Sequence, residues 1–448
     1  MVTFERQRTD VESIFAPYGP TLFEEYYESW GERLEERLIE LFVKNTDRAK
    51  LTRIRYYRTV ASIARRDYID VCADYLKSVG TLASGHFLLE EPLKFHVGAY
   101  ADFMKVVSGQ DIPGCDVLCA DASYYFKRKC GFDTAWALGA KYPSSIARLK
   151  GHNITMLEVC PVNWPTDKMK ANPFKEFMGL STYMIFGGIT HYNAYGYDFI
   201  QDETQHDILN TYVGRLLTVL RNAKPLAPVA VYYPISEVQA AFGAQKLERG
   251  VAMDFFPRVL EVEEGMELLL EAMYNGKTDF NVVDEESFEE LSAEGGYAQK
   301  GLVKASTVLV PFIEYITEKS AQKLKELSDS GVKVIFVDRK PEKDVFGNDK
   351  AVKAIIDSID AECITVDALN TRDFTLKMGY SISGTGYYAS PYEICNKRFN
   401  YVINVTEEEI SLDITGKALI YVPETDTWIK EPEAVKISGE RGIFVFEV

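Results

Sequence analysis

An alternation of strand-like and helix-like patterns runs from residue 81 to residue 233 and limits the folds open to this chain. Short apolar runs predict strands at 81–89, 111–120, 154–159, 188–193 and 229–233. Apolar residues at helical spacing predict helices between them, at 93–107, 134–149, 173–186 and 206–222. Repeated β-α units with one hand of connection form a parallel sheet or barrel, and functional groups gather at the carboxyl ends of its strands.

The remainder of the chain divides the 448 residues into three predicted domains. Residues 1–227, which open with two helical patterns, form an α/β domain of the (β/α) TIM-barrel type. Residues 228–370 form a three-layer α/β domain that resembles flavodoxin or glutamine amidotransferase domains and has no Gly-rich phosphate loop. Residues 371–448 carry short strands separated by turn residues, which predicts a small β-sandwich.

Charge and cysteine usage exclude several classes of protein. The net charge of −17 and the pI near 5.0 argue against nucleic-acid binding, which requires a basic surface. No secretory signal or membrane-spanning run is recognisable, so we predict a cytoplasmic protein. The seven cysteines are scattered and have no accompanying histidine cluster, which predicts reduced thiols and no zinc site.

Carboxylates follow two of the predicted strands. Glu90 and Glu91 follow the first, and Glu158 lies at the end of the third. Glycosidic cleavage requires one carboxylic acid to protonate the leaving oxygen and a second carboxylate across the anomeric carbon. We therefore predict Glu158 and Glu90 as the catalytic pair. Glu90 is preferred over Glu91 because Glu91 precedes Pro92 and also suits the start of the next helix.

Other polar residues near the strand ends are candidates for substrate binding. Several also have a structural interpretation: a core histidine for His86, a turn cap for Asp121, a helix kink around Lys141 and Pro143, and an aromatic cluster around Tyr192. The predicted substrate-binding set is His86, Glu91, Asp116, Asp121, Lys141, His191, Tyr192, Asn193 and Tyr195.

Several stretches of residues 20–285 resemble a known family. They are Ser84-Gly-His-Phe-Leu-Leu-Glu90-Glu91, Asp111-Ile-Pro-Gly-Cys-Asp116, Lys141-Tyr-Pro-Ser-Ser145, Glu158 and the loop from Gly187 to Tyr197. These resemble bacterial family 106 α-L-rhamnosidases and related glycosidases. The resemblance implies a (β/α)8 barrel followed by an α/β domain and β-sandwiches. It also implies Glu90 as general acid and Glu158 as second carboxylate, acting on a rhamnose- or galactose-type sugar. A bound calcium ion is associated with the rhamnosidases, but its ligands are not identifiable in this sequence.

The chain departs from this family in its number of strands. About five strand–helix units precede the second domain, whereas a closed barrel needs eight, and the first three strands of the relatives have no counterpart. Three hypotheses follow. The chain is a glycosidase, or it is a non-catalytic carbohydrate-binding or interaction protein derived from one, or half of a split enzyme. Open strand edges favour a homo-oligomer or a partner chain that completes the barrel.

Overall fold

The computed structural model describes residues 16–42, 46–130, 134–159, 168–243 and 257–448. Four helices come first, and a π-helical segment, Arg65–Asp70, joins the last two into one long rod. The Thr46 hydroxyl caps the start of this rod by accepting the Ala49 N–H at 3.2 Å. The helices are α1 (Leu22–Trp30), α2 (Leu38–Phe42), α3 (Asp47–Ala64) and α4 (Val71–Ser78).

Four strands then form a curled parallel sheet in sequential order, with helices between them. The strand at 229–233, which continues the same alternation but lies within the predicted domain 228–370, belongs to the next sheet. The predicted helix at 93–107 is divided in two, because Asp102 caps a new helix by accepting the Lys105 N–H. The elements are β1 (Ser84–Gly85), α5 (Leu93–Gly98), α6 (Phe103–Val107), β2 (Ile112–Val117), α7 (Ala137–Leu149), β3 (Met156–Val159), α8 (Lys168–Ala171), α9 (Pro173–Phe186), β4 (His191–Ala194), α10 (Glu203–Leu220) and β5 (Lys224–Pro225).

The middle of the chain is built around a five-stranded parallel sheet. Its strand order is β15-β13-β11-β6-β7, and a small antiparallel sheet of β8, β9 and β10 accompanies it. The elements are β6 (Val229–Tyr232), α11 (Ile235–Ala241), α12 (Pro257–Asn275), β7 (Phe280–Val283), α13 (Glu285–Glu289), β8 (Ser292–Glu294), β9 (Tyr297–Lys300), β10 (Val303–Ala305), β11 (Thr307–Pro311), β12 (Tyr315–Ile316), α14 (Glu318–Asp329), β13 (Lys333–Val337), β14 (Lys343–Asp344), α15 (Asp349–Asp357) and β15 (Glu362–Ile364).

The C-terminal region is all β-structure. One sheet has the order β21-β20-β23-β18-β17-β5, and the other has the order β16-β19-β22. Strand β5 is part of the first of these sheets although it precedes the middle region in the chain. Apolar side chains from both sheets, such as Leu412 and Val445, share a buried core. The strands are β16 (Tyr380–Ser383), β17 (Tyr387–Ile394), β18 (Lys397–Asn404), β19 (Ile410–Gly416), β20 (Ala418–Val422), β21 (Thr427–Lys430), β22 (Ala434–Ile437) and β23 (Gly442–Glu447).

The two faces of the first sheet differ in burial. Leu157 and Val159 of β3 point to the face covered by helices and are fully buried. Met156 and Glu158 alternate with them and are only partly buried. One face of the sheet is therefore packed and the other is open to solvent.

Helix length and composition bear on membrane insertion as well. Among the described helices, none combines the length and the apolar character needed to cross a bilayer.

Candidate active site

Three polar residues lie side by side on the open face of the first sheet. Asp116 of β2 is paired in register with Glu158 of β3, and Glu158 is paired with Asn193 of β4. Residues in register on parallel strands project to the same face. The strand pattern therefore places two carboxylates and an amide in one row near the carboxyl ends of the strands.

His86 connects this row with the loop that follows β1. Its Nε2 contacts Glu158 Oε2. Its Nδ1 donates to the carbonyl oxygen of Phe87 at 2.6 Å, which orients the ring. Both side chains are partly exposed, His86 to 25 % and Glu158 to 18 %. The imidazole and the Glu158 carboxylate therefore form the solvent-facing part of the cluster.

Glu90 lies behind His86 and is fully enclosed. Its Oε1 accepts the Phe87 N–H at 2.6 Å and lies 4.0 Å from His86 Nδ1. Burial raises the pKa of Glu90 well above its usual range, and the charge and close contact of Asp116 raise it further. Burial likewise raises the pKa of Asp116. Burial therefore favours the protonated form of both carboxyl groups.

A set of buried hydrogen bonds shapes the loop that carries Glu90. The Leu88 N–H donates to the Tyr100 hydroxyl at 2.9 Å, and that hydroxyl donates to the Leu88 carbonyl. The next residue, Leu89, has a φ of 67°, a left-handed conformation that leucine adopts only when its surroundings impose it. The loop is therefore held in a specific shape by Tyr100.

His96 also supports this loop, although the sequence analysis did not single it out. One ring nitrogen lies 2.6 Å from the Glu90 carbonyl oxygen, and the other lies 2.6 Å from the Tyr233 hydroxyl. Burial lowers the pKa of His96 to about 3, so the ring is neutral. The available sequence signal was the spacing of His96 and Tyr100, which are four residues apart in a segment predicted to be helical.

Glu91 is fully buried and packs against a helix. Its side chain packs against Gly139 of α7, where an added Cβ would lie 2.9 Å from Glu91 Cγ. Neither carboxylate oxygen has a hydrogen-bond partner among the described residues. Burial raises the pKa of Glu91 well above its usual range, and the charge of Asp116 raises it further. Of the two adjacent glutamates, Glu90 is the one with a carboxyl oxygen that lies within 4.8 Å of both His86 and Asp116.

Two other predicted substrate-binding residues have structural partners outside the cluster. Asp121 caps the short helical turn Ala122–Tyr124, where it accepts the Ser123 N–H at 3.0 Å. Lys141 is fully buried, and its Nζ lies 2.5 Å from Asp279 Oδ1. The segment around Pro143 continues as helix α7 rather than forming an unusual backbone shape at the site.

The aromatic segment at β4 is divided between the two faces of the sheet. The Tyr192 hydroxyl donates to the Ser181 carbonyl of α9 at 2.9 Å, so this ring faces the helices. His191 Nδ1 lies 3.0 Å from the Thr190 hydroxyl. Asn193 and Tyr195 are exposed, and Asn193 is in register with Glu158. Asn193 is thus the member of this segment that extends the carboxylate row.

One group among the described side chains could gather around a cation. His86, Glu90 and Asp116 have ligand atoms within 4.8 Å of one another. Calcium, which the family resemblance implies, takes six to eight oxygen ligands. This group offers one nitrogen and two carboxyl groups, fewer oxygen ligands than calcium takes, so it does not fit calcium.

Comparison with known proteins shows similarity at the level of structure only. No protein-family model matches the chain, and no curated protein matches it in sequence. A rhamnosidase from Novosphingobium sp. PP1Y superposes on 96% of this chain with a TM-score of 0.66 and 15% identity. A β-galactosidase from Bacillus circulans sp. alkalophilus superposes on 97% of it with a TM-score of 0.66 and 10% identity.

The fold is that of glycoside hydrolases. An exo-carrageenase of glycoside hydrolase family 42 from Bacteroides ovatus also matches 97% of the chain, with a TM-score of 0.57 and 11% identity. The chain spans 43% of the rhamnosidase, 77% of the β-galactosidase and 64% of the exo-carrageenase. At these identities the comparison supports a glycosidase-like fold. The described residues contain a curled parallel sheet of four strands, a half-barrel, where the family resemblance implied eight.

Proposed function

We propose that this chain is a glycoside hydrolase and that Glu158 is the carboxylate facing the anomeric carbon of the sugar. The observation that carries the proposal is the position of Glu158. It lies on the open face near the carboxyl end of a parallel strand, touches His86, and is in register with Asp116. Carboxyl ends of parallel strands are where enzymes of this architecture carry their catalytic groups.

The buried carboxyl groups supply the acid half of the reaction. Hydrolysis breaks the bond between the anomeric carbon and the leaving oxygen, a proton goes to that oxygen, and water adds to the carbon. Because Glu90 is fully buried and its pKa is raised well above its usual range, its protonated form is favoured, as a general acid requires. We assign the general acid to Glu90. His86 lies between Glu90 and the open face, with Nδ1 toward Glu90 and Nε2 toward Glu158.

The substrate class follows from the structural neighbours. A rhamnosidase and a β-galactosidase are both among them, so we propose a rhamnose- or galactose-type sugar. Exposed Asn193, in register with Glu158, is placed to hydrogen-bond the hydroxyl groups of such a sugar. Exposed Tyr195 offers a ring face for stacking.

The enclosure of Glu90 favours a second candidate, a carbohydrate-binding protein without catalysis. A general acid must reach the leaving oxygen, whereas the Glu90 side chain has no exposed surface. In this case Glu158 and Asn193 bind sugar hydroxyls, and the buried pair of Glu90 and Asp116 only shapes the floor of the site.

One experiment separates these functions. Aryl rhamnosides, galactosides, glucosides, fucosides and arabinosides are incubated with the wild type, with Glu158→Gln, and with Glu294→Gln as an exposed control. The hydrolase is supported if the wild type releases the aryl group from one of these sugars and the rate of release falls at least about a hundredfold in Glu158→Gln but not in the control.

Calorimetric titration of the same sugars completes the test. Binding without turnover, lost in Glu158→Gln and kept in Glu294→Gln, selects the binding protein. If the protein shows no turnover and no binding that depends on Glu158, both functions are contradicted.

A further inference from the structure

A fully enclosed group of charges lies where the three regions of the chain meet. Lys141 and Arg148 of α7 and Asp279, the residue before β7, are each exposed to 1% or less. Lys141 Nζ lies 2.5 Å from Asp279 Oδ1, and Arg148 Nη1 lies 3.2 Å from Asp279 Oδ2. The Ser390 hydroxyl of β17 donates to the same carboxylate at 3.0 Å. This group of residues is separate from the cluster around Glu158.

The charges in this group do not balance, because two cations meet one carboxylate. Burial lowers the pKa of Lys141 to about 8, so its ammonium form is still favoured at pH 6.5. Within the described residues, the charges that act on Lys141 are those of Asp279 and Arg148. A buried charge without a counter-ion is costly. The surplus of one positive charge therefore calls for an anion.

Arg148 also has donors that find no acceptor. Its Nη1 donates to Asp279 and, at 2.9 Å, to Asn281 Oδ1. Its Nε and Nη2 are buried and have no hydrogen-bond partner in the part of the chain that the structure describes. Buried donors are nearly always paired, and a guanidinium group can only donate. Nη2 faces Gly188, where an added Cβ would lie 3.2 Å from it, so no side chain fills the space on this side.

The Tyr274 hydroxyl is a second unpaired donor near these charges. Tyr274 of α12 is 2% exposed, and its hydroxyl has no partner among the described residues. Its ring packs against Phe280, the residue after Asp279, with the ring centroids 6.2 Å apart. Burial raises the pKa of Tyr274 well above its usual range, the charge of Asp279 raises it further, and that of Arg148 lowers it. The hydroxyl is therefore within electrostatic range of both charges.

We propose that this junction holds one buried chloride ion, bound by Nε and Nη2 of Arg148 and by the Tyr274 hydroxyl. The ion supplies the acceptor that these donors lack and cancels the surplus positive charge. A water molecule in the same place would supply an acceptor but leave the charge. The ion must be monovalent, because a divalent anion would leave a surplus negative charge. Since α7 and α12 provide the donors, chloride stabilises the junction of the three regions. The proposal is independent of the sugar site.

The first test is the dependence of stability on chloride. The wild type is unfolded in urea at pH 6.5 with increasing sodium chloride, and sodium gluconate keeps the ionic strength constant. An anion that binds only the folded state stabilises it by mass action. We expect the urea midpoint to rise with chloride and then level off. Crystals grown in sodium bromide should show an anomalous scattering peak between Arg148 and Tyr274.

Three variants locate the effect. Tyr274→Phe keeps the ring and removes one donor, so the chloride concentration for half of the effect should rise roughly tenfold. Arg148→Met removes the surplus charge, leaves the pair of Lys141 and Asp279 neutral, and should abolish the dependence on chloride. Tyr142→Phe is the matched control and should respond to chloride like the wild type. Its hydroxyl is also buried and unpaired among the described residues, but its ring contacts His96.

Two outcomes would overturn the proposal. One is an equal urea midpoint in chloride and gluconate together with no bromide peak beside Arg148, which would assign water to the site. The other is a chloride effect that Tyr274→Phe leaves unchanged, which would place the ion elsewhere. Circular dichroism verifies that each variant is folded. If Arg148→Met does not fold, Tyr274→Phe and the bromide crystals decide the question.

Discussion

A buried ion-pair network around Asp279 connects the three regions of the chain and gives the sharpest stability prediction. The Asp279 carboxylate accepts from Lys141 at 2.5 Å, from Arg148 at 3.2 Å and from the Ser390 hydroxyl at 3.0 Å. All four side chains are fully buried or nearly so. Helix α7 provides the two cations, the residue before β7 the carboxylate, and β17 the hydroxyl.

The perturbation is Asp279→Asn, which keeps the shape of the side chain and removes its charge. Two buried cations then lose their counter-ion in a site without access to water. Breaking a buried ion pair by removing one partner costs about 3–5 kcal/mol of unfolding free energy. We expect a loss in this range, because the amide oxygen can still accept only part of the original hydrogen bonds.

The loss also depends on pH. Burial alone would raise the pKa of Asp279, but Lys141 and Arg148 outweigh it and hold the pKa below its usual range. A depressed carboxyl pKa contributes stability above the pKa of the unfolded chain, about 3.9, and this contribution disappears as the pH falls. The wild type should therefore lose its advantage over Asp279→Asn in acid.

Equilibrium urea unfolding, followed by tryptophan fluorescence and circular dichroism, measures the change. Asp413→Asn, an exposed aspartate of β19, is the matched control and should change stability by less than about 0.5 kcal/mol. Adding Lys141→Met to Asp279→Asn removes one unpaired cation and should recover part of the loss. A loss below about 1 kcal/mol for Asp279→Asn would refute the reasoning.

Two further predictions concern Glu91 and a pair of glycines. Because burial and the charge of Asp116 raise the pKa of Glu91 above 4.5, the wild type should lose stability as the pH rises above that value, and Glu91→Gln should remove this loss. Urea midpoints at pH 5 and pH 8 measure it, and equal pH dependence in both proteins would contradict it. Gly439→Ala places a Cβ 2.0 Å from the Glu407 carbonyl oxygen and should cost about 1–3 kcal/mol. Gly214 lies on the exposed side of α10, and an added Cβ there would meet no atom within 4 Å. Gly214→Ala should therefore stabilise the folded protein by about 0.5–1 kcal/mol. Equal melting temperatures for the two glycine variants would count against this explanation.

The architecture was largely predictable because it rests on local patterns. Apolar runs of strand length alternate with helical spacing, and this identified the strands that became β2, β3 and β6. Periodicity did not reveal that the strand at 229–233 belongs to the second sheet, since every parallel strand between helices has the same local pattern. Short strands such as β8 and β16 were also missed, because three or four residues carry little periodic signal.

The site was predictable only in part. Strand ends gave Glu158, Asp116 and His86, since parallel strands finish at one edge of the sheet. Which of two adjacent glutamates faces that edge depends on the loop conformation at Leu89, and the sequence supplies no rule for it.

The sequence by itself determined the classes of element and their order, because these depend on spacing along the chain. Only the tertiary structure decided the partners of individual charges. Lys141, expected at the sugar site, is paired with Asp279, 138 residues further along the chain. A buried ammonium must find a counter-ion wherever packing brings one, and sequence spacing does not encode that distance.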